Sequence, residues 1–169
     1  DRRFDKRMLK CRMSTDTAYF PVKSLHGKTC SQVYFEKGGF YAVYHMDRAT
    51  GDNIGDTLPT LATDFGLPEH LTMDGFASQV GQRTKMMQYI RRSEISYHIS
   101  HPRRPNENPA EGGIRELKRY FYRLQHKYQV PLRLWDYLLS YTAELLCVTV
   151  NSSRYSAGRT PMERITGIT

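Results

Sequence analysis

Two different ways of pairing strands are written into one chain of 169 residues, and together they leave few folds open. Residues 29–36 (Thr-Cys-Ser-Gln-Val-Tyr-Phe-Glu) and 40–46 (Phe-Tyr-Ala-Val-Tyr-His-Met) are rich in aromatic and β-branched side chains. Lys37-Gly38-Gly39 between them is a hairpin signal, so these two strands are expected to pair antiparallel. Next, Ile54, Leu58, Leu61, Ala62 and Phe65 recur at helical spacing, and Gly66-Leu67-Pro68 ends the pattern. Pro59 belongs in a first turn, which places the helix start near Asp56 or Thr57. Leu71-Thr72-Met73 then reads as a short buried strand ending at Asp74-Gly75. A strand reached through a helix is the second half of a βαβ unit, whose strands run parallel and whose ligands gather at the strands' carboxyl ends. A hairpin and a crossover in one domain predict an α/β fold with a mixed sheet.

The remaining elements fit around that sheet. A first strand is expected around residues 15–20, followed by a turn at Leu25-His26-Gly27-Lys28, and another strand over 95–100. A helix over 80–92 would turn Val80, Thr84, Met87 and Ile90 inward. The loop His101-Pro102-Arg103-Arg104-Pro105-Asn106-Glu107-Asn108 is too rich in proline and polar residues for regular structure. A long helix follows over 109–126, with Pro109 as an apt first residue and Ile114, Leu117, Phe121 and Leu124 as its apolar stripe. Pro131 opens a last helix carrying Trp135, Leu138, Leu139, Leu145 and Leu146. Residues 1–12 read as a basic lead-in without periodicity, a linker or partner-dependent arm, and the tail from Ser152 as irregular. The expected division is therefore a lead-in over 1–13, a core over 14–151 and the core's tail over 152–169.

Charge narrows the function. Twenty-five Lys and Arg against 17 Asp and Glu give a net charge of +8, the balance of a protein that meets a polyanion. No stretch approaches the ~18 apolar residues that span a bilayer, so the polyanion is not expected to be a membrane, and no signal peptide stands out. Three cysteines, Cys11, Cys30 and Cys147, suit a reducing, intracellular setting and are too few for a four-ligand zinc site. None of the six histidines pairs with a Cys-x-x-Cys. His98 and His101 read best as surface or loop residues.

Within this frame three carboxylates stand out: Asp16 inside a strand, Asp74 at a strand's end and Glu111 on a helix's first turn. Two divalent ions ~4 Å apart need hard oxygen ligands converging from separate elements, so that the attacking and leaving oxygens of a phosphodiester are both clamped. Each residue also has a plainer reading. Asp16 suits a solvent-facing strand position, Asp74-Gly75 is common turn chemistry, and Glu111 favours the positive end of its helix by ~0.3–1 kcal/mol. Along that helix Glu111, Arg115, Lys118 and Tyr122 share a face off the apolar stripe. Arg115, Lys118, Arg119, Arg123 and Lys127 outnumber Glu111 and Glu116, and Arg103 and Arg104 precede them in the loop. A positive face continuous with a candidate ligand is expected to contact phosphates, the competing reading being a solvated face.

Four motifs carry a resemblance: Thr15-Asp16-Thr17 leading to Val22-Lys23-Ser24-Leu25-His26-Gly27; Leu71-Thr72-Met73-Asp74-Gly75; Asn108-Pro109-Ala110-Glu111-Gly112-Gly113-Ile114-Arg115-Glu116-Leu117-Lys118; and Gly158-Arg159-Thr160-Pro161-Met162-Glu163-Arg164-Ile165-Thr166-Gly167. From about Ser14 onward the chain resembles the integrase catalytic core of a copia-type long-terminal-repeat retrotransposon, in the ribonuclease H-like family of retroviral integrases. The resemblance implies a ribonuclease H-like mixed sheet of about five strands flanked by helices. It further implies a catalytic and metal-binding triad Asp16, Asp74 and Glu111 holding two Mg²⁺ or Mn²⁺ ions, with Asp16 shared between them.

DNA contacts at Arg115 and Lys118, a homo-oligomer, and a nuclear protein that trims the 3′ ends of element cDNA and joins them to target DNA follow from the same likeness. Arg103, Arg104, Arg119 and Tyr122 are further DNA-contact candidates. The loop departs from retroviral relatives, being one residue shorter and carrying Arg103-Arg104 where they carry an aromatic and a small polar residue. The family's upstream zinc-binding module and downstream DNA-binding domain are not in this sequence, which therefore reads as an excised core or truncated remnant. Two other functions stay open: a catalytically silent or domesticated nucleic-acid-binding domain, and a ribonuclease H-like nuclease that cuts without joining.

Overall fold

The hairpin forms as its sequence dictates. In the computed structural model, which describes residues 7–75, 83–101, 108–151 and 157–167, β2 (Cys30–Glu36) and β3 (Phe40–Met46) pair antiparallel from Cys30 opposite Met46 to Glu36 opposite Phe40. Gly39 turns the chain at φ +95°, a left-handed conformation that glycine adopts without steric cost. The crossover forms too. A strand β1 (Met8–Tyr19) runs antiparallel to β2 on one side and parallel to β4 (Leu67–Asp74) on the other, and β4 runs parallel to β5 (Ser96–Ser100). The sheet order is β3-β2-β1-β4-β5, five strands of mixed direction.

Helices α1 (Gly51–Asp64), α2 (Lys85–Arg92), α3 (Pro109–Tyr128), α4 (Trp135–Val148) and α5 (Pro161–Thr166) flank it, with a short 3₁₀ turn at Leu132–Leu134. Neighbouring residues of a strand point to opposite faces of a sheet, and β2 shows which helices lie where. The Tyr34 hydroxyl bonds Thr57 Oγ1 of α1 at 2.7 Å, while the Phe35 ring lies against Gly113 of α3. So α1 and α3 cover opposite faces. Buried between sheet and helices are Val33, Tyr34, Leu58, Leu61, Leu71, Met73, Phe121, Trp135 and Leu139.

Several boundaries differ from the sequence reading, each for a physical reason. β1 begins at Met8, so residues 8–12 belong to the sheet and not to a lead-in: Leu9, Cys11 and Met13 are buried while Met8, Lys10 and Arg12 are exposed. One extra residue in β1 between Leu9 and Arg12 marks a bulge, across which apolar and charged side chains keep alternating as on a half-buried strand. Helix α1 starts at Gly51, capped by the Thr50 hydroxyl on the Asn53 amide, and carries Pro59 inside it rather than in its first turn. β4 starts at Leu67, four residues earlier than its buried triplet suggests. Thr84 is the cap of α2, its hydroxyl accepting from Met87, and not an inward helical residue. Val80 lies outside the described residues.

The tail is not wholly irregular either. Thr160 and Glu163 form a reciprocal capping box at the start of α5, and Gly167 ends it at φ 65°. The Arg164 guanidinium of this short helix holds the Glu36 carboxylate at the end of β2.

Candidate active site at the ends of β1 and β4

Strand register brings two of the three carboxylates together. Thr15 pairs with Met73 in the parallel β1–β4 ladder, so Asp16 and Asp74 follow side by side, on the same face, near the carboxyl ends of both strands. The third is delivered by a cap. Asn108 accepts from the Ala110 amide at 3.0 Å as the N-cap of α3 and donates through Nδ2 to the Thr15 carbonyl at 3.3 Å. One buried side chain thus starts the helix and ties its first turn, with Glu111, to the strand position before Asp16.

Behind the carboxylates is a buried polar scaffold. Thr15 donates to the Val33 carbonyl at 2.9 Å and accepts from Gln32 Nε2 at 2.7 Å. The Gln32 carbonyl oxygen in turn accepts from the Thr17 hydroxyl at 2.8 Å. Ser100 donates to the Met73 carbonyl at 3.1 Å. Buried polar groups so satisfied hold one geometry, because each alternative leaves a donor or acceptor without a partner. Sequence reading passed over Thr15, Gln32, Ser100 and Asn108 as positioning residues. Only Asn108, immediately before a first-turn proline, carried a legible signal.

The three acids feel one another electrostatically. Burial pushes the Asp16 carboxyl above the usual range, against a lowering hydrogen bond from the Thr17 amide, and the negative charges of Asp74 and Glu111 push it further up. At present each acid is engaged locally. Asp16 accepts from Thr17 N and Asp74 from Gly75 N, both at 2.7 Å, and Glu111 reaches Arg115 at 3.3 Å. Among the described residues no three His, Cys, Asp or Glu side chains stand together in a way that could hold a metal ion. The donor set nevertheless suits a hard divalent cation in kind, being carboxylate oxygen throughout.

The cationic face of α3 is less uniform than its spacing suggests. Arg115 is exposed and, among the described residues, pairs only with Glu111. Lys118 is not a free surface charge: Nζ donates to the Tyr19 carbonyl at 3.0 Å and lies 5.1 Å from the Phe20 ring centre, and burial lowers its pKa. It fastens α3 to the end of β1. Arg119 pairs with Glu116 and lies over the Tyr120 ring, while Tyr122 is exposed with its ring edge against Phe121. Arg103 and Arg104 lie outside the described residues. The three cysteines are buried and free, and burial pushes the Cys11 thiol up to about 12, away from nucleophilic use. Among the described residues no helix is long and apolar enough to cross a membrane.

No family model matches the chain, and no curated protein does. Solved structures do. The chain is similar to the HTLV-2 integrase catalytic core domain in complex with magnesium, in its trimeric form, with TM-score 0.67 and 15% identity over 95% of this chain and 99% of that one. The catalytic core domain of BIV integrase matches with TM-score 0.64 and 18% identity over 91% and 92%. A simian T-cell lymphotropic virus intasome in complex with the PP2A regulatory subunit B56γ matches with TM-score 0.70 and 16% identity over 92% of this chain and 54% of that one. Over nearly its whole length, the chain has the fold of retroviral integrase catalytic cores.

Proposed function

We propose that the chain is the catalytic core of an integrase, of the copia-type retrotransposon class, that trims 3′ DNA ends and joins them to target DNA. The observation that carries this reading is the placement of Asp16 beside Asp74 with the first turn of α3 tied to β1 by Asn108, in a fold shared with integrase cores. Asp16, Asp74 and Glu111 are the residues that would hold Mg²⁺ or Mn²⁺. Bound there, the ions would supply positive charge that activates the attacking oxygen and stabilises the leaving one.

The chain's own contribution is positional. The scaffold of Thr15, Gln32, Asn108 and Ser100 fixes the strand ends, and a cation would offset the burial and, secondarily, the repulsion from Asp74 and Glu111 that raise the Asp16 pKa. Glu111 is half exposed and held by an i, i+4 surface pair, a class worth at most about 1 kcal/mol. Its release from Arg115 toward the other two acids is therefore cheap. A phosphate contact by Arg115, which is exposed beside Glu111, and the oligomeric intracellular setting, nuclear by resemblance, belong to the same proposal.

A second reading rests on a specific observation. Glu111 turned to Arg115, with no metal-holding cluster among the described residues, is also the arrangement of a silent DNA-binding domain. Incubation with Mg²⁺ or Mn²⁺, a labelled DNA end bearing a free 3′-hydroxyl and a target duplex separates the cases. Joined product, abolished in Asp16→Asn, Asp74→Asn and Glu111→Gln, is the expected result. Cutting without joining would make it a nuclease, and DNA binding with neither would make it a silent domain.

A further inference from the structure

The sheet face that bears Asp16 and Asp74 also bears cations. In the parallel register Arg12 lies beside His70 and His70 beside Ser96; one step on, Ser14 lies beside Thr72 and Thr72 beside His98. Side chains two apart in a strand share a face, so Arg12, Ser14 and Asp16 form one column and His70, Thr72 and Asp74 the next. Arg12, Ser96 and His98 are exposed, and His70 and Thr72 half-buried. Helix α3 covers β1 and β2 on this side, but the columns of β4 and β5 stand open.

Over the near end of this face is a cavity of about 490 Å³, walled by Lys10, Arg12, Lys37 and Arg164, with Pro109 at the foot of α3 as a further wall. Two carboxylates line it, Glu36 and Glu69. Glu36 is taken by both Nη atoms of Arg164, whose buried Nε has no hydrogen-bond partner among the described residues. Lys10, Arg12 and Lys37 are exposed and make no ion pair with a described residue. Such a set leaves positive charge unspent beside a wall that leads directly to the Glu111 turn.

We propose that the open part of this face is a phosphodiester track, on which a DNA strand runs from Lys10, Arg12 and Lys37 past Thr72 to the carboxylates at Asp16 and Asp74. Arg12 and Asp16 are four residue steps apart, about 13 Å at ~3.3 Å per residue, which matches the rise of about four phosphate steps on one strand of a duplex. The track is separate from the exposed cations of α3, and it rests on the integrase reading only in taking DNA as the polyanion.

Its test is the salt dependence of binding, measured without divalent metal by anisotropy of a labelled DNA duplex. Lys10→Gln/Arg12→Gln/Lys37→Gln should bind more weakly, with a log–log salt slope shallower by about 2.7, at ~0.9 per phosphate contact. A control of equal charge change at exposed positions elsewhere, Lys23→Gln/Arg48→Gln/Arg133→Gln, should keep the wild-type slope. Urea denaturation confirms that each variant folds, and single Arg12→Gln and Lys37→Gln variants, each expected to lose about 0.9, serve should the triple variant not fold. Wild-type affinity and slope in the first variant, an equal loss in the control, or no binding by the wild type would each overturn the track. A slope loss in the triple variant, together with a wild type that cannot join DNA ends, would uphold the track and overturn the integrase assignment instead.

Discussion

Two adjacent glycines of α3 should respond to the same substitution with different outcomes. An alanine in place of a helical glycine gains about 1 kcal/mol from backbone entropy, and this gain is common to Gly112 and Gly113. Their surroundings are not. A Cβ at Gly112 meets nothing within 4 Å, whereas one at Gly113 lies 2.5 Å from Phe35 Cγ and 2.7 and 2.8 Å from its two Cδ atoms. The ring root is close to the β2 backbone and has little room to swing, so relief requires α3 and the sheet to part. Overpacking of this kind costs about 1–3 kcal/mol. Gly112→Ala should therefore stabilise by about 1 kcal/mol, and Gly113→Ala should fall about 1–3 kcal/mol below it. Urea denaturation with unchanged m-values reads that gap directly, and for a chain of this size it corresponds to about 2–4 °C in melting temperature per kcal/mol. Phe35→Leu withdraws the ring, so it should cost less in the Gly113→Ala background than in wild type, by about 0.5 kcal/mol or more. Equal stability of the two alanine variants would refute the proposed contact between α3 and β2.

Three further outcomes are expected. His45 bridges Ser31 and Ser140 through its two ring nitrogens, each contact 2.7 Å, and burial lowers its pKa; a histidine depressed in the folded state binds fewer protons there than when unfolded, so stability is full above pH ~6.5 and falls as pH drops toward the folded pKa. His45→Gln should flatten that part of the stability–pH curve, and an unchanged curve would remove His45 as its source. Lys118→Ala should destabilise by about 1 kcal/mol through loss of its bond to the Tyr19 carbonyl, while Arg115→Ala should stay within about 0.5 kcal/mol; thermal melts giving equal losses would contradict the different anchoring of these two cations. Mg²⁺ or Mn²⁺ should raise the melting temperature more than NaCl of equal ionic strength, by relieving carboxylate repulsion and binding the folded state. Equal metal-induced shifts in wild type and Asp16→Asn/Asp74→Asn would show that those acids do not hold the ion.

What the sequence alone determined is whatever depends on near neighbours in the chain. The hairpin at Lys37-Gly38-Gly39, the helix opened by Asn108-Pro109 and the strand at Leu71-Thr72-Met73 are local patterns of turn chemistry, capping and periodicity, and the structure has each of these elements, with Leu71 and Met73 buried and Thr72 half-buried. A mixed five-stranded sheet followed from combining the hairpin with the crossover. The first half of β1 was legible as well, since Leu9, Cys11 and Met13 alternate with Lys10 and Arg12, but the surrounding run of basic residues reads as a linker. Pro59 drew the expected start of α1 too far along, because a proline is tolerated inside a helix that tertiary packing supports. The capping box at Thr160 and Glu163 was local and readable, yet its six-residue helix carries too few positions for periodicity to reveal it.

Tertiary structure alone decided the environment of each candidate residue. That Asp16 and Asp74 stand side by side is a matter of parallel register, and that Lys118 is tied to the Tyr19 carbonyl depends on a partner 99 positions away. The positioning roles of Gln32, Thr15 and Asn108 come from folding, which buries them together, where an unpaired polar group is costly and a paired one holds its neighbours in place. Lys10 and Arg12, a plain charge run in sequence, become one exposed side of a strand that ends in the acids. Residue type specified the available chemistry, but only the long-range pairing of strands and helices could set which charges meet, since burial and distance are properties of the fold and not of the string.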